Sequence, residues 1–348
     1  MATSRRAKTN AGRFFEDYSL GDVIRHAVPR TVTGGERALY QALYPARHAL
    51  YSSDEFARTS GLPQAPLDDL AAFHIVFGKT VPDVSLNAVA NLGYAEGRWH
   101  LPVYVGDTLR SESEVIGLKQ NSNGKTGVVW VRTRGLNQRD EMVMEYVRWV
   151  MVRKGDPAAS APETVVPELA AAIDPAQLKV PAGLDFSAYD FTLAGETHRW
   201  GDYEIGETIN HVDGVTVEEA EHMLATRLWQ NTAKVHFDTT ARPDGRRLIY
   251  GGHVISMARA LSFNGLANAQ MIVGLNAGAH ANPCLAGTTI RAWSEVLDKA
   301  ETAAPGVGAI RLRLVATSGG DPFRLRAEDG KYCPEVLLDL DYWALMPV

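Results

Sequence analysis

A chain of 348 residues is too long for one ordinary hydrophobic core and suits two domains of about 100 to 200 residues each. With 45% hydrophobic and 22% charged residues it has a globular composition, and a formal charge of −6 argues against a nucleic-acid partner, which needs clustered cationic surface. The two cysteines, Cys284 and Cys333, form no metal spacing and fit a reducing compartment, while neither the basic start Met1–Phe15 nor any later window has the apolar run of a signal peptide or membrane span, so a cytoplasmic, membrane-free setting is expected.

In chain order, the segment "FEDYSLGDVIRH" (Phe15–His26) precedes a helix start at Thr33-Gly-Gly-Glu36, where a Thr cap and a Glu three residues later satisfy orphan N–H groups reciprocally. An apolar helix follows in Leu67–Val81. Residues 106–118, 124–137 and 143–154 then alternate with the period of half-buried antiparallel strands. Gly155–Gly183, rich in Ala and Pro, belongs to neither half and reads as a linker. Beyond it the order repeats: Trp200–His211 restates Phe15–His26 at an offset of 185 positions, with Asp-Tyr, Gly, Ile and His in register. Thr216-Val-Glu-Glu219 reads as the second helix start, His253–Ala269 as the second apolar helix, and 288–297, 308–317 and 335–346 as strands. Asn282–Val296 lies over Leu101–Val115 at an offset of 181, matching Pro, Gly, Thr, Arg and Ser-Glu-Val, which a duplicated domain explains. A helix wrapped by an antiparallel sheet, twice over, is an α+β protein, with domains at 13–154 and 196–348 joined by 155–195.

The most informative stretch is "LWQNTAKVHFD" (Leu228–Asp238), which places His236 five residues after Asn231 where the first copy has Tyr51 after Ala46. Together with "PVYVGDTL" (Pro102–Leu109), "FHIVFGKTVPD" (Phe73–Asp83) and "ARALSFNGLANA" (Ala258–Ala269), it resembles the MaoC-like dehydratases, which are hot-dog folds, and the likeness covers nearly the whole chain. The resemblance implies a double hot dog that takes an acyl-CoA as its partner and assembles into a homo-oligomer, while no Walker A, Gly-x-Gly-x-x-Gly or zinc spacing is present, so no cofactor and no metal are expected. It also implies the activity: reversible hydration of a short branched dicarboxylic acyl-CoA, interconverting mesaconyl-CoA and (2R,3S)-β-methylmalyl-CoA. The family's motif, Asp-x-Asn-Pro-(Ile/Leu)-His, puts its Asp on Asn231, its Asn on Ala233, its Pro on Lys234 and its His on His236. In the first copy the same Asp falls on Ala46 and the His on Tyr51. The second copy is therefore expected to carry the chemistry and the first a packing or CoA-binding role.

Hydration of an enoyl thioester needs a group that takes a proton from water, a donor to the α carbon, and dipoles that hold the enolate-like oxygen. His236 suits the proton transfer. Asn231 can orient a water but accepts no proton, and it suits a helix terminator equally. Asp238 is the candidate for the missing carboxylate. Gly251, Gly252 and His253 open the central helix, so amides there can meet the thioester oxygen with the helix N-terminus behind them. A buried substrate carboxylate needs a cation, for which Arg47 beside the degenerate motif is the candidate and Arg98 the reserve. Asp68, Asp69 and His74 read as structure, and "RPDGRR" (Arg242–Arg247) as a solvated turn within reach of CoA phosphates. A broader (R)-specific enoyl-CoA hydratase, an acyl-CoA thioesterase and a non-catalytic acyl-CoA binder remain open, because fold alone does not separate them.

Overall fold

The structure, a computed structural model, describes residues 8–348, so the first seven residues of the basic start lie outside the described residues. Strand β1 (Val23–Thr31) leads into helix α1 (Gly34–Leu43), the short helices α2 (Ala49–Ser52) and α3 (Asp54–Thr59), and the central helix α4 (Asp69–Thr80). Strands β2 (Ala88–Trp99), β3 (Thr108–Gln120), β4 (Thr126–Leu136) and β5 (Met142–Arg153) complete the first copy. After a single turn, α5 (Phe191–Ala194), the second copy runs β6 (Thr208–Thr216), α6 (Glu219–Leu228), α7 (Lys234–Phe237), α8 (Gly251–Leu261), α9 (Phe263–Leu266), β7 (Ile272–His280), β8 (Thr289–Glu301), β9 (Val307–Thr317) and β10 (Val336–Pro347).

All ten strands join one antiparallel sheet in the order β1-β3-β4-β5-β2-β7-β10-β9-β8-β6. The copies meet at β2 and β7, with Tyr94 opposite Gly278 and Arg98 opposite Gly274. The two copies thus pair edge to edge within the chain, and among the described residues only β1 and β6 remain as sheet edges. Periodicity found three strands in each copy, and the structure has five. The seam strands escaped because "AVANLGYAEGRW" and "IVGLNAGAH" are rich in Gly, Ala and Asn, residues depleted from strands. Neighbouring side chains claim the space at those glycines: a Cβ at Gly97 would stand 2.7 Å from the Leu275 side chain, and one at Gly278 2.9 Å from Tyr94.

Helix α4 is apolar on every side, and all twelve of its residues are buried. It lies beside α8, and the two are tied at Ser256, whose Oγ bonds His74 Nε2 at 2.7 Å and Tyr40 OH at 3.1 Å. The first cap forms as the sequence predicts, with the Thr33 amide donating to Glu36 Oε2 at 2.8 Å. The second does not. Thr216 ends β6 with its hydroxyl on Thr289 Oγ1, the cap is Glu218, and Glu221 takes its amide. The 185-residue offset places Glu218 and Glu221 opposite Thr33 and Glu36, so the repeat followed strictly marks the right start. The expected helix His253–Ala269 also breaks, because Asn264 and Gly265 leave helical geometry, the latter at φ +97°. The segment 155–195 is no loose tether: Val165 bridges to Leu118, and Leu184, Phe186 and Tyr189 bury beside Tyr51, Phe56 and Leu345.

Candidate active site

A cavity of about 280 Å³ lies between the two copies. Phe77, Ser85, Asn91, Tyr94 and Arg148 come from the first, and Asn231, His236, Tyr250, Gly251, His280 and Asn282 from the second. Among the described residues Arg148 is the one Arg, Lys, Asp or Glu on its lining, so no carboxylate of theirs shares the wall.

His236 is placed by a short helix started by Asn231. The Asn231 amide nitrogen on the main chain closes α6 on the Thr226 carbonyl, and Asn231 Oδ1 accepts the Ala233 amide at 3.2 Å, turning the chain into α7. Asn231 is thus a helix terminator and also part of the cavity wall. His236 Nδ1 lies 2.7 Å from the Leu248 carbonyl oxygen. A carbonyl only accepts, so Nδ1 carries the proton and Nε2 keeps its lone pair. Burial pushes the His236 pKa down to about 4 against the opposing effect of the Leu248 bond, so the ring is neutral at neutral pH.

The start of α8 reaches the cavity at one of the three candidate positions. Gly251 lines the cavity, and among the described residues the amides of Gly251 and Gly252 have no acceptor within the chain. A Cβ at Gly251 would overlap the His280 ring, which requires glycine there. The His253 amide is spent on the Tyr250 carbonyl at 2.9 Å, and its ring lies fully buried against Tyr44, so His253 supports the helix start and offers no free amide. Asp238 stays outside the cavity: exposed, it accepts from the Thr240 amide and hydroxyl at 2.8 and 2.7 Å, capping the next turn. Arg47 is also exposed, with its guanidinium 4.4 Å over the Phe263 ring and away from the cavity, and Arg98 bonds Gln177. In the 242–247 turn, Arg242 pairs with Asp244 and Arg247 with Glu219.

Three cavity or near-cavity residues have no place in the sequence motif. His280, at the end of β7, bonds Tyr94 OH through Nε2 at 3.2 Å, and burial with the nearby His236 holds its pKa near 4. His222, on α6, takes the Tyr250 amide on Nε2 at 2.9 Å, its ring 5.9 Å from that of His236. Arg148, on β5, is fully buried. The alternation of that strand was the available signal: Met144, Tyr146, Arg148 and Val150 share one parity, so an arginine sits among core side chains.

The corresponding region of the first copy is filled. Only about 10 Å³ remains beside Tyr51, Ala46 and Asp68. Tyr51 donates to the Asp69 carboxylate, which also accepts the Ile272 amide at 2.7 Å; burial raises the Asp69 pKa to about 8. Asp68, Asp69 and His74 are structural here, as their sequence context indicated.

The family model for mesaconyl-CoA hydratase matches residues 1–321. The chain belongs to the mesaconyl-CoA hydratase family. A member named mesaconyl-CoA hydratase, from Cereibacter sphaeroides, is 78% identical over 98% of this chain and 99% of its own. One named beta-methylmalyl-CoA dehydratase, from Chloroflexus aurantiacus, is 58% identical over 98% and 99%. The crystal structure of a protein assigned as a MaoC domain dehydratase from Chloroflexus aurantiacus superposes with a TM-score of 0.96 at 57% identity, covering 98% of this chain and 99% of that one. A Mycobacterium tuberculosis protein with a double hotdog fold, 24% identical, superposes at 0.75 over 96% and 98%, and shows the fold alone. The mesaconyl-CoA hydratase family member described here is therefore a double hot dog of hydro-lyase type, and among its described residues no helix is long and apolar enough to cross a membrane.

Proposed function

We propose that this chain catalyses the reversible hydration of mesaconyl-CoA to (2R,3S)-β-methylmalyl-CoA in the cytoplasm, at one site per chain built around His236. The observation that carries the reading is the His236 tautomer: Nδ1–H is fixed on the Leu248 carbonyl, which leaves a neutral Nε2 as proton acceptor in a cavity that both copies wall. Water adds its oxygen to the β carbon as Nε2 takes a proton. The double-bond electrons move onto the thioester oxygen, and as they return the α carbon takes up the proton that Nε2 received, so one water is added overall and the ring is neutral again. In this reading that oxygen is held by the free amide of Gly251, which lines the cavity at the start of the eleven-residue α8, and by that of the adjoining Gly252, with the helix dipole behind them. Asn231 supplies an amide donor that orients the water and takes no proton.

The test is an assay of purified protein with mesaconyl-CoA, following loss of conjugated enoyl absorbance and gain of one water by mass. His236→Ala is expected to lower kcat by about 10² to 10⁴. Tyr51→Phe, at the same position of the first copy, stays within a few-fold, and circular dichroism confirms that both fold. Equal losses overturn the single-site reading. Release of free thiol in place of hydration replaces the hydratase with a thioesterase.

A further inference from the structure

Among the enclosed cations, two arginines differ in one respect. Arg259 spends its guanidinium on His48 Nε2, Ser262 Oγ and the carbonyls of Ala269 and Gln270. Arg148 is fully buried too, yet gives one bond, from Nη2 to Thr80 Oγ1 at 2.7 Å, and lies 4.3 Å over the Phe77 ring. Its Nε and Nη1 have no partner among the described residues. Burying a cation without a counter-charge is costly, and the fold does not demand it at this place. Arg148 pairs with Val131 and Tyr94 across its neighbouring strands, and in the second copy Tyr342 pairs with Leu312 and Leu275 in the matching places. A tyrosine therefore serves the same point of the same sheet. The same cavity wall carries more unpartnered polar atoms: Ser85 Oγ and Asn91 Nδ2, which can donate, and Asn91 Oδ1, which accepts, have no partner among the described residues either.

We propose that Arg148, with Asn91 and Ser85, is the binding site for the free carboxylate of the acyl group, and that the first copy supplies it to the chemistry of the second. The proposal rests on the reading of the chain as a hydratase of a dicarboxylic acyl-CoA. A planar guanidinium with unpartnered N–H groups on Nε and Nη1, and a second hydrogen on Nη2 beside each, matches a carboxylate, and Asn91 Nδ2 and Ser85 Oγ add neutral donors. The free carboxylate of mesaconyl-CoA is bonded to the carbon that water attacks, so its binding site must share a cavity with His236. Arg148 does. The lack of any carboxylate on that wall, with Asn231 where the motif has Asp, keeps the cation available.

The experiment compares mesaconyl-CoA with tiglyl-CoA, which has a methyl group in place of the free carboxylate. Steady-state hydration by the full chain, wild type against Arg148→Met and Arg148→Lys, is paired with calorimetric binding of the saturated counterparts, methylsuccinyl-CoA and 2-methylbutyryl-CoA. Arg148→Met should cost mesaconyl-CoA at least a hundredfold in kcat/KM, with a far smaller change for tiglyl-CoA, and Arg148→Lys should restore part of the difference. The binding preference for methylsuccinyl-CoA should collapse in parallel. Equal losses on both substrates, or an unchanged binding preference, overturn the assignment. If Arg148→Met does not fold, Asn91→Ala and Ser85→Ala must each shift preference toward tiglyl-CoA, and no shift in either overturns it. Wild type that binds methylsuccinyl-CoA selectively through Arg148 but hydrates nothing would leave this site standing and remove the proposed function. Turnover with a preference indifferent to Arg148 would do the reverse.

Discussion

Lowering the pH from 7 to 5.5 should cost the folded chain several kcal/mol, because imidazoles are stored neutral around the two central helices. Four histidines are wholly enclosed: burial, with help from neighbouring histidines, holds His74 and His222 near pKa 3, and burial holds His211 and His253 near 4. In the unfolded chain each takes a proton near its ordinary value of about 6.5. Because the folded values are depressed, the unfolded state binds more protons between about pH 6.5 and 4, so stability falls as pH falls through that window and is flat above about 7. Between pH 7 and 5.5 each ring contributes roughly 1.2 kcal/mol to this loss, and the four together roughly 5 kcal/mol; His236 and His280, held near 4, add to it, while Asp69, raised to about 8 and protonated only in the folded state, offsets it by roughly 2 kcal/mol. His48, driven downward by burial and the adjacent Arg259, acts in the same direction. That loss is comparable with the whole stability of many domains, about 5–15 kcal/mol. Urea unfolding followed by tryptophan fluorescence at a series of pH values measures it as a shift in midpoint. A midpoint that does not move between pH 7 and 5.5, or imidazole resonances that titrate near 6.5 in the folded protein, would refute the reasoning.

Gly251→Ala should force the His280 ring off Tyr94 OH, an overpacking cost of about 1–3 kcal/mol, seen as a lower melting temperature together with lost turnover; unchanged activity would separate this corner from the site. Wild-type kcat/KM should show no acid limb from His236 between pH 7 and 5.5, since its pKa lies near 4, and Asn231→Asp should bring that limb upward by placing an anion near His236, while the Asx turn to Ala233 survives. The same substitution should move preference from mesaconyl-CoA toward crotonyl-CoA, tenfold for each 1.4 kcal/mol of repulsion; a pH profile and a preference that both stay put would leave Asn231 a helix terminator only.

The duplication was legible because Asp-Tyr, Gly, Ile and His recur at fixed offset, and His236 because a motif position survived there. The seam strands were not, since Gly93, Gly97, Gly274 and Gly278 trade side chains for close packing and erase the alternation that marks a strand. Asp238 misled through nearness in sequence: two residues past His236, a short helix ends and the chain turns outward to solvent. Arg47 misled through nearness to the degenerate motif, a region that Tyr51 and Asp69 fill. Arg148 is 88 positions from His236, and only the strand seam and the packing of α4 against α8 bring them to one cavity.

A pair of identical hot dogs would be bound by two-fold symmetry: any residue useful in one active site would be copied into the other, with its cost paid in each. A single polypeptide lifts that constraint. The same sheet position holds Arg148 on one side and Tyr342 on the other, the same helix position Phe77 and Arg259, the same loop position Tyr51 and His236. On the assignments proposed above, one chain divides the labour between unlike halves, proton transfer in one and anion recognition in the other, and a buried cation without a counter-charge is carried once per chain where a symmetric pair would have to tolerate two.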